Sequence, residues 1–178
     1  MRNEQISWCY KSFFLSEGKK VENNFANDLL NECGGEIKAA SKYEDIIKHI
    51  DLWWKPTDKD KWVSFDIKGL RRDSRNNDNV SYENTWLEVK NTYGNPGSLL
   101  GEQTYLVVET KQDWIITRRE HLLNELRKNI VDKTIYNINP YENFKMYQRK
   151  DRKDLIVRVP LSFIEENSCK KIKNIDFK

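Results

Sequence analysis

Three short stretches of this chain alternate between apolar and polar residues, with tryptophan at one end of each. They are His49–Trp54 (HIDLWW), Trp62–Lys68 (WVSFDIK) and Trp86–Lys90 (WLEVK). A period of two belongs to a β-strand, whose successive side chains point to opposite faces. Ile50, Leu52 and Trp54 share one face of the first segment, and His49, Asp51 and Trp53 the other. In the second, Val63, Phe65 and Ile67 oppose Trp62, Ser64, Asp66 and Lys68. In the third, Leu87 and Val89 oppose Trp86, Glu88 and Lys90. Each strand therefore has an apolar face to bury and a face that carries an acid. If the three pair in one sheet, Asp51, Asp66, Lys68, Glu88 and Lys90 converge.

The rest of the chain sets these strands between helices. Residues 19–33 form an amphipathic helix, with Val21, Phe25, Ala26, Leu29, Leu30 and Cys33 on one stripe and Gly34-Gly35 as a stop. Glu22 falls inside that apolar stripe, where it is free to join the acids of the strands; a carboxylate in a first helical turn is also favoured by the helix dipole. Glu36–Ser41 reads as a strand, Pro56–Asp60 as a turn and 71–84 as a polar loop. Leu106–Glu109 and Trp114–Thr117 read as a strand pair, Arg119–Ile130 as a helix, Leu155–Val159 as a strand and Pro160–Glu166 as a short helix. This order predicts an α/β or α+β fold. Its 178 residues, with six Trp, eight Tyr and seven Phe to fill a core, suit one domain over 1–178 with its core at about 19–160.

Several classes are excluded. Cys9, Cys33 and Cys169 are odd in number, widely spaced and form no CxxC, against a disulfide scaffold or a zinc ribbon. Runs such as Tyr105–Val108 are too short to span a membrane, and the N-terminus does not read as a signal peptide. The expectation is a cytoplasmic or intracellular protein that is not secreted. No Gly-rich phosphate loop is present, and His49 and His121, the two histidines, are far apart.

Clustered carboxylates repel one another and are tolerable mainly around a cation. Oxygen-only donors suit Mg²⁺ or Mn²⁺. A lysine two residues beyond an acid lies beside it on the strand, placed to orient a water or to stabilise charge on a phosphate.

Asp51, followed after fourteen residues by Asp66-Ile67-Lys68 and preceded by the Glu22 helix, resembles the PD-(D/E)xK nuclease signature. The signature has Pro where this chain has Ile50. The wider pattern HIDLWW…VSFDIKG…WLEVKN…GNPGSLLG, with YQRKDRKDLIVRVP beyond it, resembles phage-type and viral members akin to Holliday-junction resolvases. The likeness spans roughly residues 20–160. It implies a restriction-endonuclease-like core, a mixed central sheet flanked by helices, and a metal-dependent endonuclease acting on DNA, with RNA not excluded. In that case the host cell is the site of action of a viral enzyme. The resemblance further implies that Asp51 and Asp66 bind Mg²⁺ or Mn²⁺, with the Ile67 carbonyl as a further ligand. Lys68 then positions or activates the attacking water, and Glu22 binds a second metal or a metal-bound water. Cleavage would leave a 3′-hydroxyl and a 5′-phosphate. A second acid-x-Lys candidate is Glu88-Val89-Lys90, with Asp66 upstream. The Asp51/Asp66/Lys68 assignment is preferred because it leaves Glu36–Ser41 as the first strand after the helix, and Glu88 remains a metal ligand from an adjacent strand.

Two basic clusters follow these acids: Lys68, Arg71, Arg72 and Arg75, and then Lys145, Arg149, Lys150, Arg152, Lys153 and Arg158. With Lys90, the residues Arg71, Arg72, Arg75, Arg149 and Arg152 are the candidate contacts to a phosphate backbone. Asp73, Asp151 and Asp154 are available to balance them on a solvated surface. Trp53, Trp62 and Trp86 are candidates for stacking on bases, and core packing competes for each. The Gly94–Gly101 loop reads equally as a cover over substrate or as a plain connection. A branch or restriction specificity implies paired cuts and a homodimer. Two further readings stay open: a non-catalytic nucleic-acid-binding or assembly module on the same fold, and a restriction-type enzyme that reads a short sequence.

Overall fold

The computed structural model describes residues 17–70, 72–74, 77–130, 135–136 and 142–174. Helix α1 (Glu17–Cys33) stops as Gly34 turns left-handed (φ 67°) and returns its N–H to the Leu30 carbonyl at 2.8 Å. The chain then meanders through β1 (Glu36–Ala39), a π-helical turn (Glu44–Lys48), β2 (Leu52–Lys55) and β3 (Val63–Lys68). A small hairpin follows, β4 (Arg72–Ser74) with β5 (Asn77–Val80), where the polar composition predicts only a loop. After β6 (Asn84–Lys90) and a 3₁₀ turn (Ser98–Leu100) come β7 (Tyr105–Glu109), β8 (Asp113–Arg118) and α2 (Arg119–Asn129). Short β9 (Ile135–Tyr136) and β10 (Met146–Tyr147) precede β11 (Leu155–Pro160), α3 (Leu161–Glu166) and β12 (Lys170–Lys173).

The main sheet has the order β1-β2-β3-β7-β8-β12. It is mixed: β3 and β7 are parallel and every other pair is antiparallel. A parallel pair requires a long crossover. Here the crossover contains β6, which pairs antiparallel with β11 in a second sheet of order β6-β11-β10-β9. The expected single sheet of all three alternating segments is thereby corrected. WLEVK does alternate, but its apolar face is buried in a different layer, and β7 takes the place beside β3.

Two apolar clusters hold the layers together. Phe25 and Leu29 of α1 pack on Leu52, Phe65, Ile67, Val107, Trp114, Ile116 and Ile172. On the other face, Leu106, Val108 and Ile115 pack on Leu87, Val157 and Val159 of the second sheet and on Leu122, Leu126 and Ile164 of the helices. The main sheet is covered on both sides along β7 and β8, which explains their continuous apolar runs. Strand β12 (KKIK) escapes prediction because Ile172 is the residue it buries. Among the described residues no helix is long and apolar enough to cross a membrane.

Phe25 is fully buried, with its ring centroid 5.5 Å from Phe65 and 5.4 Å from Trp114. Phe25→Ala is expected to cost about 3–5 kcal/mol and to lower the melting temperature by roughly 6–20 °C. Thermal denaturation followed by circular dichroism checks this; a loss below 1 °C would mean that α1 does not anchor the sheet.

Candidate functional site

The β2–β3 ladder runs from Trp54↔Val63 to Leu52↔Phe65. Beyond Phe65 the strands part, while β3 continues against β7 as Asp66↔Leu106 and Ile67↔Val107. At the parting, the Asp51 backbone N–H still reaches the Phe65 carbonyl at 2.8 Å. Its side chain turns inward, and Oδ2 accepts the Ile67 backbone N–H at 2.6 Å. A carboxylate thus replaces a strand partner. Asp51 lies just before β2, because His49 adopts a left-handed conformation (φ 56°) that closes the π-helical turn.

Asp66 is 2% exposed. Its Oδ1 accepts from Lys68 Nζ at 2.7 Å, and its Oδ2 is buried with no hydrogen-bond partner among the described residues. Glu22 enters from α1, whose neighbouring Val21 lies against Gly69, just past the end of β3. The Glu22 carboxylate is largely shielded and is paired with Lys19 at 2.8 Å. Three acids, from α1, from the segment just before β2 and from β3, therefore share one end of the sheet with Lys68.

Their mutual influence is visible in their acidities. Burial pushes the Asp51 carboxyl up, the charge of Asp66 pushes it further, and Lys68 and the Ile67 N–H only partly offset them, leaving it at about 8. Glu22 is also raised, first by burial and then, against the pull of Lys19, by Asp45 and Asp66. For Lys68, burial works against the charge, but Asp66 and Asp51 outweigh it and hold the ammonium above its ordinary range. Asp45, in the π-helical turn, is an acid that the alternation argument misses, since it lies outside any strand.

Glu88 is not on a strand adjacent to β3, as expected, but on β6 of the second sheet; its charge still bears on Lys68. Lys90 is exposed at the end of β6, bridged through its backbone to Pro96. The loop between them is pinned. A side chain on Gly97 would fall 2.6 Å from the Glu88 carbonyl, and His49 Nε2–H donates to the Pro96 carbonyl at 2.9 Å. Loop 94–101 is a wall tying β6 to the turn before Asp51, and His49 has a structural partner.

Of the basic candidates, Arg149 is committed elsewhere. Its guanidinium clamps the fully buried Asp154, whose other oxygen accepts the Arg149 N–H at 3.3 Å. Arg152 is exposed in the following turn. Arg71 and Arg75 lie outside the described residues, as does the side chain of Arg72. Among the described residues no three His, Cys, Asp or Glu side chains already converge on one point to ligate an ion. As they stand, one oxygen of Asp51 is held by Ile67 and one of Asp66 by Lys68. Comparison with family models, with curated proteins and with solved structures returns no match.

The raised pKa of Asp51 makes stability depend on pH in one direction. An unfolded Asp ionises near 3.8, and the folded one near 8. The native state holds the extra proton between these values, so its stability falls as pH rises from about 4 to about 8. Asp51→Asn keeps an acceptor for Ile67 and cannot ionise. In EDTA it is expected to melt above wild type, with a gap several degrees wider at pH 8 than at pH 5. A gap that does not widen would mean that Asp51 is ionised in the folded chain across this range.

Proposed function

We propose that this chain is a divalent-metal-dependent endonuclease that hydrolyses DNA phosphodiester bonds. In this reading the core is restriction-endonuclease-like and of PD-(D/E)xK type, and branched DNA is its substrate. The observation that carries the reading is the meeting of Asp51, Asp66 and Lys68 where β2 and β3 part, with Glu22 beside them. Buried acids that push one another toward protonation are a poor structural device, and a cation removes the repulsion. The donor set fits Mg²⁺ or Mn²⁺: it is all oxygen, and the buried Asp66 Oδ2 has no other partner among the described residues.

Asp51, Asp66 and the Ile67 carbonyl would hold the ion, with Glu22 at a second ion or an ordered water. Bound there, it supplies Lewis-acid polarisation of the phosphate and acidifies water. Asp66 holds the Lys68 ammonium at one place. Lys68, kept protonated by its two acids, donates hydrogen bonds to water or phosphate and stabilises the charge that develops on phosphorus oxygens. Glu88 supports the Lys68 charge from the second sheet rather than ligating beside Asp66. A resolvase of this kind makes opposed cuts and works as a homodimer.

With Mg²⁺ or Mn²⁺, the protein is expected to cut a four-way junction in preference to a matched linear duplex. Asp66→Ala and Lys68→Ala should each lose at least about 100-fold in rate. Discrete fragments from linear DNA without junctions would favour a restriction-type enzyme instead. Tight binding without cleavage by folded wild type would favour a non-catalytic module.

Ion binding must displace the Asp51 proton. Calorimetry in buffers of different ionisation heat should therefore show release of about one proton at pH 7 and less above pH 9, with affinity for Mn²⁺ rising between them. Proton release that is independent of pH would remove Asp51 from the ligand set.

A further inference from the structure

The face of the main sheet that carries Asp66 continues beyond the acidic site. Across β1, β2 and the start of β3, the residues Ile37, Trp54, Val63 and Phe65 point to the α1 side and pack there. Their alternates, Lys38, Trp53, Trp62 and Ser64, point the other way. The register sets Lys38 opposite Trp53, and Trp53 opposite Ser64. The second sheet and helices α2 and α3 cover that face along β7 and β8, whereas Trp53 and Trp62 remain partly exposed and Lys38 is exposed.

Lys38 Nζ lies 4.6 Å from the centroid of the Trp62 ring and 5.4 Å from that of Trp53, and Lys55 Nζ lies 5.1 Å from Trp62. Lys55 is neutralised by Glu36 at 3.1 Å and Asp58 at 3.6 Å. Lys38 has no carboxylate at ion-pair distance among the described residues; it lies over the two indole faces, and the Glu44 carboxylate feels its charge from further off. Trp53 is fixed in turn, its Nε1–H donating to Glu44 at 3.2 Å. A charge held over two oriented indoles, with no direct ion pair among the described residues, is complementary to a phosphate with a base beside it.

The spacing ties this patch to the acids. Two residues along a strand span ~7 Å. Trp62 is four residues from Asp66 on one face, ~13 Å away, and Trp53, opposite Ser64 on the neighbouring strand, is ~8 Å away. At the ~3.4 Å rise of stacked bases along one strand these distances correspond to about two to four nucleotides, and to fewer where the strand is extended.

We propose that Lys38, Trp53 and Trp62 form a stacking platform for unpaired nucleotides of the substrate strand, within about four nucleotides of the phosphate at the Asp66 and Lys68 site. The inference rests on the nuclease reading of the acidic site. It deepens that reading by giving the substrate a single-stranded arm or flap next to the cut.

The test is binding, measured apart from cleavage. A fluorescein-labelled single-stranded oligonucleotide and its matched duplex are titrated into full-length Asp66→Ala protein in EDTA, with tryptophan emission followed in parallel. We expect quenched emission and preference for the single strand. Trp62→Ala should weaken single-strand binding about tenfold, Trp62→Phe should keep most of it, and Lys38→Gln should lower both the affinity and its salt dependence. Lys38→Gln changes an exposed side chain, so it tests the platform even where Trp62→Ala fails to fold. Unchanged single-strand affinity in Lys38→Gln and in folded Trp62→Ala would overturn the proposal. So would a shift of Trp62→Ala from dimer to monomer by sedimentation without oligonucleotide binding, which would assign the patch to self-association. Single-strand binding that depends on Trp62, in a wild-type protein that cleaves nothing, would sustain the platform while removing the nuclease reading.

Discussion

The structure around the acids depends on one hydrogen bond, from the Ile67 backbone N–H to the Asp51 carboxylate. Where two strands part, backbone groups lose their ladder partners, and a buried N–H without an acceptor is costly. Asp51 satisfies that N–H with a side chain. The strands can then separate without an orphaned donor, and the gap they leave is the space that Asp66, Lys68 and Glu22 share. The bond exacts its own cost. It holds a carboxylate in a poorly hydrated place next to another, and the proton on Asp51 is the consequence. Packing of α1 on β3 keeps the arrangement closed, since Phe25 and Phe65 sit on the opposite face of the strand that carries Asp66.

The two faces of the main sheet divide the labour. The α1 face is largely apolar and supplies stability. The other face is apolar under the second sheet and helices, then polar from Asp66 outward to Lys38. That change along a single face is why β3 carries a buried Ser64 and Asp66 in alternation with Phe65 and Ile67 of the opposite side. Loop 94–101 marks the boundary, joined to Glu88 on one side and to His49 on the other.

Much of the local structure is legible from alternation and from helix signals. Helix α1, strands β1 to β3, the β7–β8 pair and α2 lie within a few residues of where pattern places them, because each buries a continuous apolar face or stripe. The misses have physical causes. HIDLWW reads as a strand from His49, but a left-handed His49 closing a π-helical turn delays β2 to Leu52. The β4–β5 hairpin is polar, and β12 buries little, so neither has an apolar period to detect. The partner of β6 is set by Val157 and Val159, some seventy residues on. The Arg149–Asp154 clamp is a further case: a basic run looks like a phosphate surface until the fold buries one of its acids.

The sequence by itself determined which face of each strand is apolar, that acids occupy the opposite faces, and that a lysine follows Asp66 on its own strand. Those are properties of a two-residue period and need no knowledge of neighbours. Only the tertiary structure decided which of these faces meet. It set Asp51 against Ile67, brought Glu22 to the end of β3, sent Glu88 and Lys90 into a second sheet, and laid Lys38 over Trp53 and Trp62. The physical reason is that strand pairing is chosen by long-range burial and register. A period of two records what a strand shows to each side, and leaves open which strand lies beside it.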